Sequence, residues 1–192
     1  MTEIYALLDR ELMERFGVTP EAAARFLQNA GITIAQYRDK EGSDERVAGT
    51  LERMHRHYFG TLILNDRLSL AELADGLHLG QEDLAAVDPD PSAAVRKVRE
   101  RIGGKLLGLP THDAGEIQIA NTLDLDYIGL GAYRPTATKS DAAVRGVALL
   151  ETAHLSRHPV AIIGGVRWED VFAEPVRWKV LGRALFERIA AS

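Results

Sequence analysis

The amino-acid sequence predicts an α/β fold, a compact (β/α)8 TIM barrel that forms a single domain over residues 1–192. Eight short apolar segments, each typical of a buried strand, alternate along the chain with helix-like segments. Polar or glycine residues follow directly after most of these strands, as they do at the catalytic rim of such barrels. The chain is short for this fold, so several helices should be brief. A doubly wound open sheet is the alternative arrangement.

Short runs rich in Val, Ile, Leu and Tyr predict the strands. They are bounded by polar residues, glycine or proline, which favour turns. We expect strands at residues 4–8, 32–35, 62–64, 76–79, 105–109, 127–131, 159–163 and 178–181. A short helix-like connection around Leu70 joins the third strand to the fourth and is long enough for a parallel crossover.

Capping residues mark where the intervening helices begin. An N-cap oxygen followed by proline or by acidic residues is typical of a helix N-terminus. We predict such starts at Thr19, Ser43, Asp90 and Asp113, the last with Glu116 at capping-box spacing. Further helices are expected around residues 144–150 and at 184–190.

Composition narrows the class of protein. The 192 residues include no Cys, which fits a reducing compartment, and the net charge of −5 disfavours general binding of nucleic acid. The first residues are acidic where a signal peptide would be basic, and no apolar run approaches the roughly 20 residues that span a bilayer. We therefore expect a cytoplasmic protein that binds small molecules and neither nucleic acid nor membrane. A homo-oligomeric state stays open.

Charged and small residues gather where the predicted strands end. Since the carboxyl ends of parallel strands form one rim of a barrel, these residues should lie close together. They are Gln36, Arg38 and Lys40 after the second strand, Asn65 and Asp66 after the third, Asp83 after the fourth, Thr136, Thr138 and Lys139 after the sixth, Gly164 and Gly165 after the seventh, and Gly182 after the eighth. Cations, carboxylates, hydroxyls and glycines together predict a site for a polyphosphate and a metal ion. Asp66 and Asp83 follow adjacent strands, so their carboxylates can converge on Mg²⁺.

Each of these signals has an ordinary structural alternative. Asp66 is also a good turn former, Arg38 and Lys40 could line a solvated edge, and a glycine pair can simply make a tight turn. Among the histidines, His78 lies in an apolar strand and is expected to be a hydrogen-bonded core group, whereas His112 follows the fifth strand and could face the site. The spacing shows no Ser-His-Asp triad and no carboxylate pair typical of hydrolases.

Five segments of the chain are distinctive in combination. They are AQYRDK at 35–40, LILNDR at 62–67, DGLHLGQEDL at 75–84, DYIGLGAYRPTATKSDA at 126–142 and VAIIGG at 160–165. Together they resemble the thiamine phosphate synthase family of phosphate-binding β/α barrels, over residues 4 to 186. The resemblance implies an enzyme of thiamine biosynthesis. It would join 4-amino-2-methyl-5-hydroxymethylpyrimidine diphosphate to a thiazole phosphate and release diphosphate.

The resemblance also implies a role for each residue of the site. Gln36, Arg38 and Lys40 would hold the pyrimidine diphosphate with Asn65 and Lys139, Asp66 and Asp83 would bind Mg²⁺, and Thr136, Thr138, Gly165 and the backbone of Leu181 and Gly182 would contact the thiazole phosphate. Arg38, Lys40 and Lys139 would be catalytic because they stabilise charge on the departing diphosphate. No general base is required, since the thiazole nitrogen attacks a carbon that the site holds in place.

The chain departs from the family pattern at several positions. Pro110, expected in the loop after the fifth strand, and Gly182 stand where the family typically has Ser. Tyr37, Tyr133 and Arg134 bring bulk near the pocket, and Arg134 and Arg183 could compensate with charge. Two alternatives therefore stay open. A non-catalytic paralogue that binds thiamine precursors or their phosphates would explain Pro110 and Gly182. A thiazole tautomerase would use His112 for proton transfer and would not need the two metal-binding carboxylates.

Overall fold

Eight parallel strands close into a barrel, which confirms the predicted fold class. The computed structural model describes residues 2–134 and 146–191. The strands are β1 Glu3–Asp9, β2 Ile34–Arg38, β3 Thr61–Asn65, β4 Gly76–His78, β5 Leu106–Thr111, β6 Tyr127–Leu130, β7 Val160–Ile162 and β8 Val176–Leu181. Neighbouring strands pair in chain order, and β1 also pairs with β8, where Tyr5 lies beside Val180. The sheet therefore has no free edge.

Helices cover the outside of the barrel. They are α1 Arg10–Arg15, α2 Pro20–Asn29, α3 Asp44–His55, α4 Gln81–Val87, α5 Pro91–Ile102, α6 Ala114–Ala120, α7 Gly146–Ala153 and α8 Arg183–Ala190, and a 3₁₀ helix, Leu68–Leu73, connects β3 to β4. Two of them reach 12 residues and the others are shorter, as the length of the chain predicts. In the described parts of the chain, no helix has the length and apolar content of a membrane span.

The predicted capping residues begin four of these helices. The side chains of Thr19, Ser43, Asp90 and Asp113 each accept a hydrogen bond from the backbone N–H three residues later, at 3.2, 3.3, 2.7 and 3.0 Å. Each bond satisfies an N–H that the helix leaves unpaired, and such a cap contributes about 1 kcal/mol. The sequence prediction misses α1 and α4, which have 6 and 7 residues and show no clear helical period.

β2 begins two residues later than predicted. The N–H of Ile32 donates to the carbonyl of Leu27 at 3.0 Å and so ends α2, which leaves Ile34 as the first residue of the strand. The prediction of a strand at 32–35 is therefore wrong at both ends, and Gln36 and Arg38 belong to the strand. Gln36 lies inside the barrel, below the rim that Arg38 reaches at the last position of β2.

Pro110 lies within β5, so its predicted place in the following loop is wrong. Pairing of β5 with β4 ends at Gly108, whose carbonyl accepts a hydrogen bond from the N–H of Leu79 at 3.1 Å. Odd-numbered residues of β5 bond to β6 instead, as when Thr111 O accepts from the N–H of Gly131 at 3.2 Å. The proline nitrogen therefore faces β4 beyond its last pair and removes no hydrogen bond from the ladder.

Alternate residues of the strands fill two separate cores. The barrel interior contains Tyr5, Ile34, Ile63, Tyr127, Ala161, Trp178 and Val180. The larger core between strands and helices includes Tyr37 and Leu181. Tyr37 therefore adds no bulk to the pocket, which corrects that expectation, and its hydroxyl instead donates to Asp39 Oδ2 at 3.4 Å. Leu181 can offer only its backbone to the rim.

Candidate active site

Two carboxylates lie together at the ends of β3 and β4. Asp66 follows β3 with a φ of 61°, a left-handed conformation that Asp and Asn tolerate better than most residues. Asp83 lies in the first turn of α4, and its Oδ2 accepts a hydrogen bond from the N–H of Gly80 at 2.9 Å. A Cβ built on Gly80 would lie 2.8 Å from Asp83 Oδ2 and 3.9 Å from Asp66 Oδ1. Glycine at this position therefore leaves room for both carboxylates.

The surroundings of Asp66 favour a bound cation. Burial and the nearby charge of Asp83 raise the pKa of the Asp66 carboxyl, while Lys40 and Arg38 act in the opposite direction. A divalent cation between the carboxylates would remove their repulsion. In the described parts of the chain, no third His, Asp or Glu completes a ligand cluster. The pair still fits Mg²⁺, which commonly takes one or two carboxylates and fills its other positions with water and substrate phosphate.

Arg38 is held at the rim by a carboxylate from the neighbouring strand. Asp9 lies opposite Arg38 in the register of β1 and β2, and its Oδ2 accepts a hydrogen bond from Arg38 Nη1. Asp9 is only 3% exposed, and its Oδ1 also caps α1 by accepting from the N–H of Leu12 at 3.2 Å. The sequence prediction gives Asp9 no role, although an acid at the end of the first strand is the same signal that identifies Asp66.

Lys40 is exposed, and the loop that carries it is tied to the turn that carries Asp66. Arg67 follows Asp66 directly and donates hydrogen bonds to the carbonyls of Asp39 and Gly42 at 2.9 and 2.6 Å. These bonds bracket Lys40 in the chain. Arg67 also has no role in the sequence prediction, because its partners are far away along the chain.

Asp39 anchors the same loop from the helix side. It is 4% exposed, accepts a hydrogen bond from the N–H of Gly42 at 2.8 Å, and forms ion pairs with Arg10 and Arg46 at 3.2 and 3.0 Å. Burial opposes ionisation of this carboxyl, but the Gly42 N–H and the two guanidinium groups outweigh it and lower the pKa of Asp39. Lys40 is therefore presented by a loop whose backbone is fixed on both sides.

A hydrogen-bonded chain of four side chains crosses the barrel interior below the rim. Gln36 Nε2 donates to the Tyr5 hydroxyl at 2.9 Å, and the Tyr5 and Tyr127 hydroxyls are 2.8 Å apart. The Tyr127 hydroxyl also lies 3.0 Å from His78 Nδ1, which confirms that His78 is a hydrogen-bonded group. Burial raises the pKa of both phenols, so Tyr5 and Tyr127 remain protonated.

The rim beside β7 and β8 is built from backbone. Gly164 and Gly165 follow β7 with φ of 96° and 62°, values that residues with a Cβ rarely adopt. A Cβ on Gly164 would also lie 2.7 Å from that of Ala132. Gly182 is different, because the nearest atom to a Cβ built there is Leu7 Cδ2 at 3.8 Å. A serine would therefore fit at position 182.

Arg134 braces the loop after β7. Its Nη1 donates to the carbonyl of Gly165 at 3.0 Å, its Nη2 bonds to Asp170 Oδ1 at 2.8 Å, and its guanidinium lies 4.5 Å from the centre of the Tyr133 ring. Arg134 in turn lowers the pKa of Asp170. The charge of Arg134 is therefore paired with Asp170 within this loop, which corrects the expectation that Arg134 supplies compensating charge to the pocket.

The remaining predicted residues fall in two groups. Asn65 is the last residue of β3 and pairs in register with His78, and His112 follows β5. His112 Nδ1 lies 2.9 Å from Glu116 Oε2, which also accepts a hydrogen bond from the backbone N–H of His112 at 2.7 Å. Three predicted residues lie outside the described parts of the chain: Thr136, Thr138 and Lys139.

Comparison with known proteins identifies the family. Residues 4–184 match the family model described as thiamine monophosphate synthase. The chain belongs to that family. A thiamine-phosphate synthase of Persephonella marina is 35% identical over 176 residues, which are 88% of this chain and 78% of the relative. One of Geobacillus thermodenitrificans is 37% identical over 158 residues, 76% of this chain and 66% of the relative. The resemblance seen in the sequence is thus confirmed, and the family supports the expected synthase function.

Solved structures share the fold. Thiamine phosphate pyrophosphorylase from Pyrococcus furiosus superposes with a TM-score of 0.72 at 23% identity, covering 98% of this chain and 95% of its own. A geranylgeranylglyceryl phosphate synthase from Thermoplasma acidophilum gives 0.64 at 11% identity, covering 96% of this chain and 87% of its own. At these identities the similarity shows the barrel fold alone.

Proposed function

We propose that this member of the family is a Mg²⁺-dependent thiamine phosphate synthase. It would join 4-amino-2-methyl-5-hydroxymethylpyrimidine diphosphate to a thiazole phosphate, forming thiamine phosphate and diphosphate. The observation that carries the proposal is the meeting of Asp66 and Asp83 with Arg38 and Lys40 on one side of the rim. Together they offer a metal-binding carboxylate pair and two cations to a single diphosphate.

The charged side of the rim, formed by Arg38, Lys40, Asp66 and Asp83, would hold the diphosphate. Bound Mg²⁺ would supply charge neutralisation for the leaving oxygens. Asp9 engages Nη1 of Arg38 and fixes the guanidinium, so the remaining N–H groups can be aimed at phosphate before the reaction begins. We assign Asn65 and Lys139 to the same diphosphate on the sequence pattern alone.

The glycine side of the rim, formed by Gly164, Gly165 and Gly182, would bind the thiazole phosphate. α8 begins directly after Gly182, and the free N–H groups of a helix N-terminus attract phosphate. The glycines after β7 allow a phosphate to approach the backbone closely. Thr136, Thr138 and the backbone of Leu181 belong to this proposal through the sequence pattern and the family.

Two bond changes complete the proposed reaction. The C–O bond between the pyrimidine methylene and the diphosphate breaks, and its electron pair leaves with the diphosphate. The lone pair of the thiazole nitrogen then forms the C–N bond. The protein mainly stabilises charge on the leaving group and holds the two rings within attacking distance. The pyrimidine ring would lie beneath the charged side and above the packed barrel interior, next to Gln36, whose amide is held from below by Tyr5.

Product formation tests the proposal. The purified protein would be mixed with both substrates and Mg²⁺, and thiamine phosphate would be oxidised to a fluorescent thiochrome for detection. We expect product with Mg²⁺ and none with EDTA. Product that EDTA leaves unchanged would contradict the metal assignment. No product, with both substrates still raising the melting temperature, would favour the non-catalytic binding protein. In that case Pro110 and Gly182, which stand where the family typically has Ser, would be the positions to restore to Ser.

A thiazole tautomerase is the second candidate, and the contact of His112 with Glu116 favours it. A carboxylate that orients an imidazole ring is typical of a proton-transfer group. A tautomerase would lose its activity in His112→Gln and keep it in Asp66→Asn. The synthase should respond in the opposite way, so the two variants assayed side by side separate the candidates.

A further inference from the structure

We infer that a chain of three interior side chains fixes the orientation of the Gln36 amide, and that this orientation selects a pyrimidine with an amino group over one with an oxo group. The three are Tyr5, Tyr127 and His78, which act as positioning residues. This rests on the proposed function, because it names the substrate feature that Gln36 recognises.

If Gln36 donates the first hydrogen bond, the donor and the acceptor of every other hydrogen bond in this row of side chains are fixed. The amide Nε2 donates to the Tyr5 hydroxyl at 2.9 Å, so the Tyr5 proton needs another acceptor. In the described structure that acceptor is the Tyr127 hydroxyl, 2.8 Å away, and the Tyr127 proton then goes to His78 Nδ1, 3.0 Å away. Every proton has an acceptor only if His78 Nδ1 carries none.

The reverse direction would turn the amide over. A proton on His78 Nδ1 would be donated to Tyr127, and the Tyr127 proton would be donated to Tyr5. Tyr5 would then donate to Gln36 Oε1, and the amide NH₂ would face away from the chain. Tyr5 and Tyr127 are 2% and 0% exposed, so water does not offer a substitute partner. The tautomer of His78 and the orientation of the amide are therefore coupled.

In the observed orientation, Gln36 Oε1 is available to a ligand. In the described parts of the chain no protein group donates to this oxygen. This oxygen is also accessible. Among the described residues, only Tyr58 Oη is a fully buried side-chain polar atom without a hydrogen-bond partner, so Gln36 Oε1, which also has no protein donor, is not fully buried. Gln36 lies two residues before Arg38 on the same face of β2, so a ring attached to a diphosphate at the rim would reach it.

Selectivity follows from the chemistry of a carbonyl oxygen. An amino group on the ring donates to Oε1, whereas an oxo group sets two acceptors against each other. Sites built around such a hydrogen bond reject the mismatched analogue by factors on the order of 10⁴. An amide that could rotate freely would offer its NH₂ to the oxo compound and lose most of this discrimination.

The test compares kcat/KM for the 4-amino pyrimidine diphosphate with that for its 4-oxo analogue. In Tyr127→Phe, Tyr5 loses its acceptor and turns its proton toward Gln36, so we expect the amino-to-oxo ratio to fall by about tenfold or more. Tyr58→Phe is the matched control, because Tyr58 is also buried and its hydroxyl has no partner in the described structure. An unchanged ratio in Tyr127→Phe, or an equal fall in Tyr58→Phe, would overturn the inference.

A second measurement does not depend on turnover. ¹⁵N NMR of the His78 ring in the full chain reports which nitrogen carries the proton, and at neutral pH we expect it on Nε2. A protonated Nδ1 would overturn the inference even in an active enzyme. Absence of product from either substrate would count against the proposed function instead, and the ring measurement would still decide the inference.

Discussion

The two sides of the barrel rim are built from different chemistry. On the charged side, Arg38 is fixed by Asp9, and the carboxylates of Asp66 and Asp83 lie together beside Gly80. On the glycine side, the backbone itself is exposed to a ligand, and Arg134 is paired with Asp170.

This difference predicts how each side responds to substitution. Charges act over several ångströms, and their loss at a half-exposed rim disturbs binding and turnover more than folding. A glycine with positive φ is part of the backbone geometry, so its loss disturbs the fold and the site together. If substitutions on the two sides had the same effect, this contrast would be wrong.

The largest effect is expected for Asp83→Asn. Loss of one carboxylate from the pair should lower kcat by about 10²- to 10³-fold, because less charge on the leaving group is neutralised. The melting temperature should change little, since Asn can still accept the Gly80 hydrogen bond. Steady-state assays and thermal melts would measure both, with Glu82→Gln as the control at an exposed neighbouring acid. A kcat close to that of the unmodified enzyme would remove the metal assignment.

The next largest loss of activity is expected for Arg67→Met. Without its hydrogen bonds the Lys40 loop loosens, and we expect kcat/KM for the pyrimidine diphosphate to fall by about 10- to 100-fold. The control is Arg56→Met, at an exposed arginine whose partner is Glu52. If Arg67 acts through Lys40, then Arg67→Met should add little to Lys40→Met. Additive losses in the double variant would show that Arg67 works independently.

On the glycine side, Gly164→Ala should destabilise the protein by about 1–3 kcal/mol, because it combines strained backbone with a close approach to Ala132. The KM for thiazole phosphate should rise in parallel. Gly182→Ser, where a side chain has room, should change stability by less than about 0.5 kcal/mol. Urea unfolding of both variants checks this, and equal destabilisation would contradict the steric account.

A small gain in stability is expected for Asp66→Asn. The folded-state pKa of Asp66 is raised, so the folded protein holds this proton more tightly than the unfolded chain, and stability falls as pH rises through that range. In EDTA at pH 8, Asp66→Asn should therefore stabilise the fold by less than about 1 kcal/mol, and Asn also suits the φ of 61°. The gain should disappear in acid, where both carboxyls are protonated. Destabilisation at pH 8 would contradict the proposed repulsion.

Local signals predict most of the fold. Thr19 and Ser43 begin helices because their hydroxyls accept hydrogen bonds from N–H groups close by in the chain. The predicted start of β2 is wrong because the backbone N–H of Ile32 donates a hydrogen bond to the carbonyl of Leu27, which apolar periodicity does not reveal. The predicted place of Pro110 in a loop is wrong for a related reason, since a proline is tolerated in β5 only because the pairing with β4 has already ended.

The site is predictable to the extent that it depends on strand ends. Asp66 and Asp83 stand out because parallel strands bring their carboxyl ends together. Arg67 and Asp9 do not, because their roles exist only through partners on other elements. Gln36 is predicted for the rim but lies within the barrel, where its neighbours come from distant strands.

Closure of the barrel by β8 has a consequence for synthesis on the ribosome. Until β8 is made, β1 has an unpaired edge that can associate wrongly. Trp178 of β8 packs edge-on against Tyr5 and Tyr127, with ring centres 6.4 and 5.7 Å apart. A nascent chain that already contains every residue of the charged rim therefore still lacks support for the interior of the pocket. Binding of the pyrimidine should become specific only after β8 has emerged.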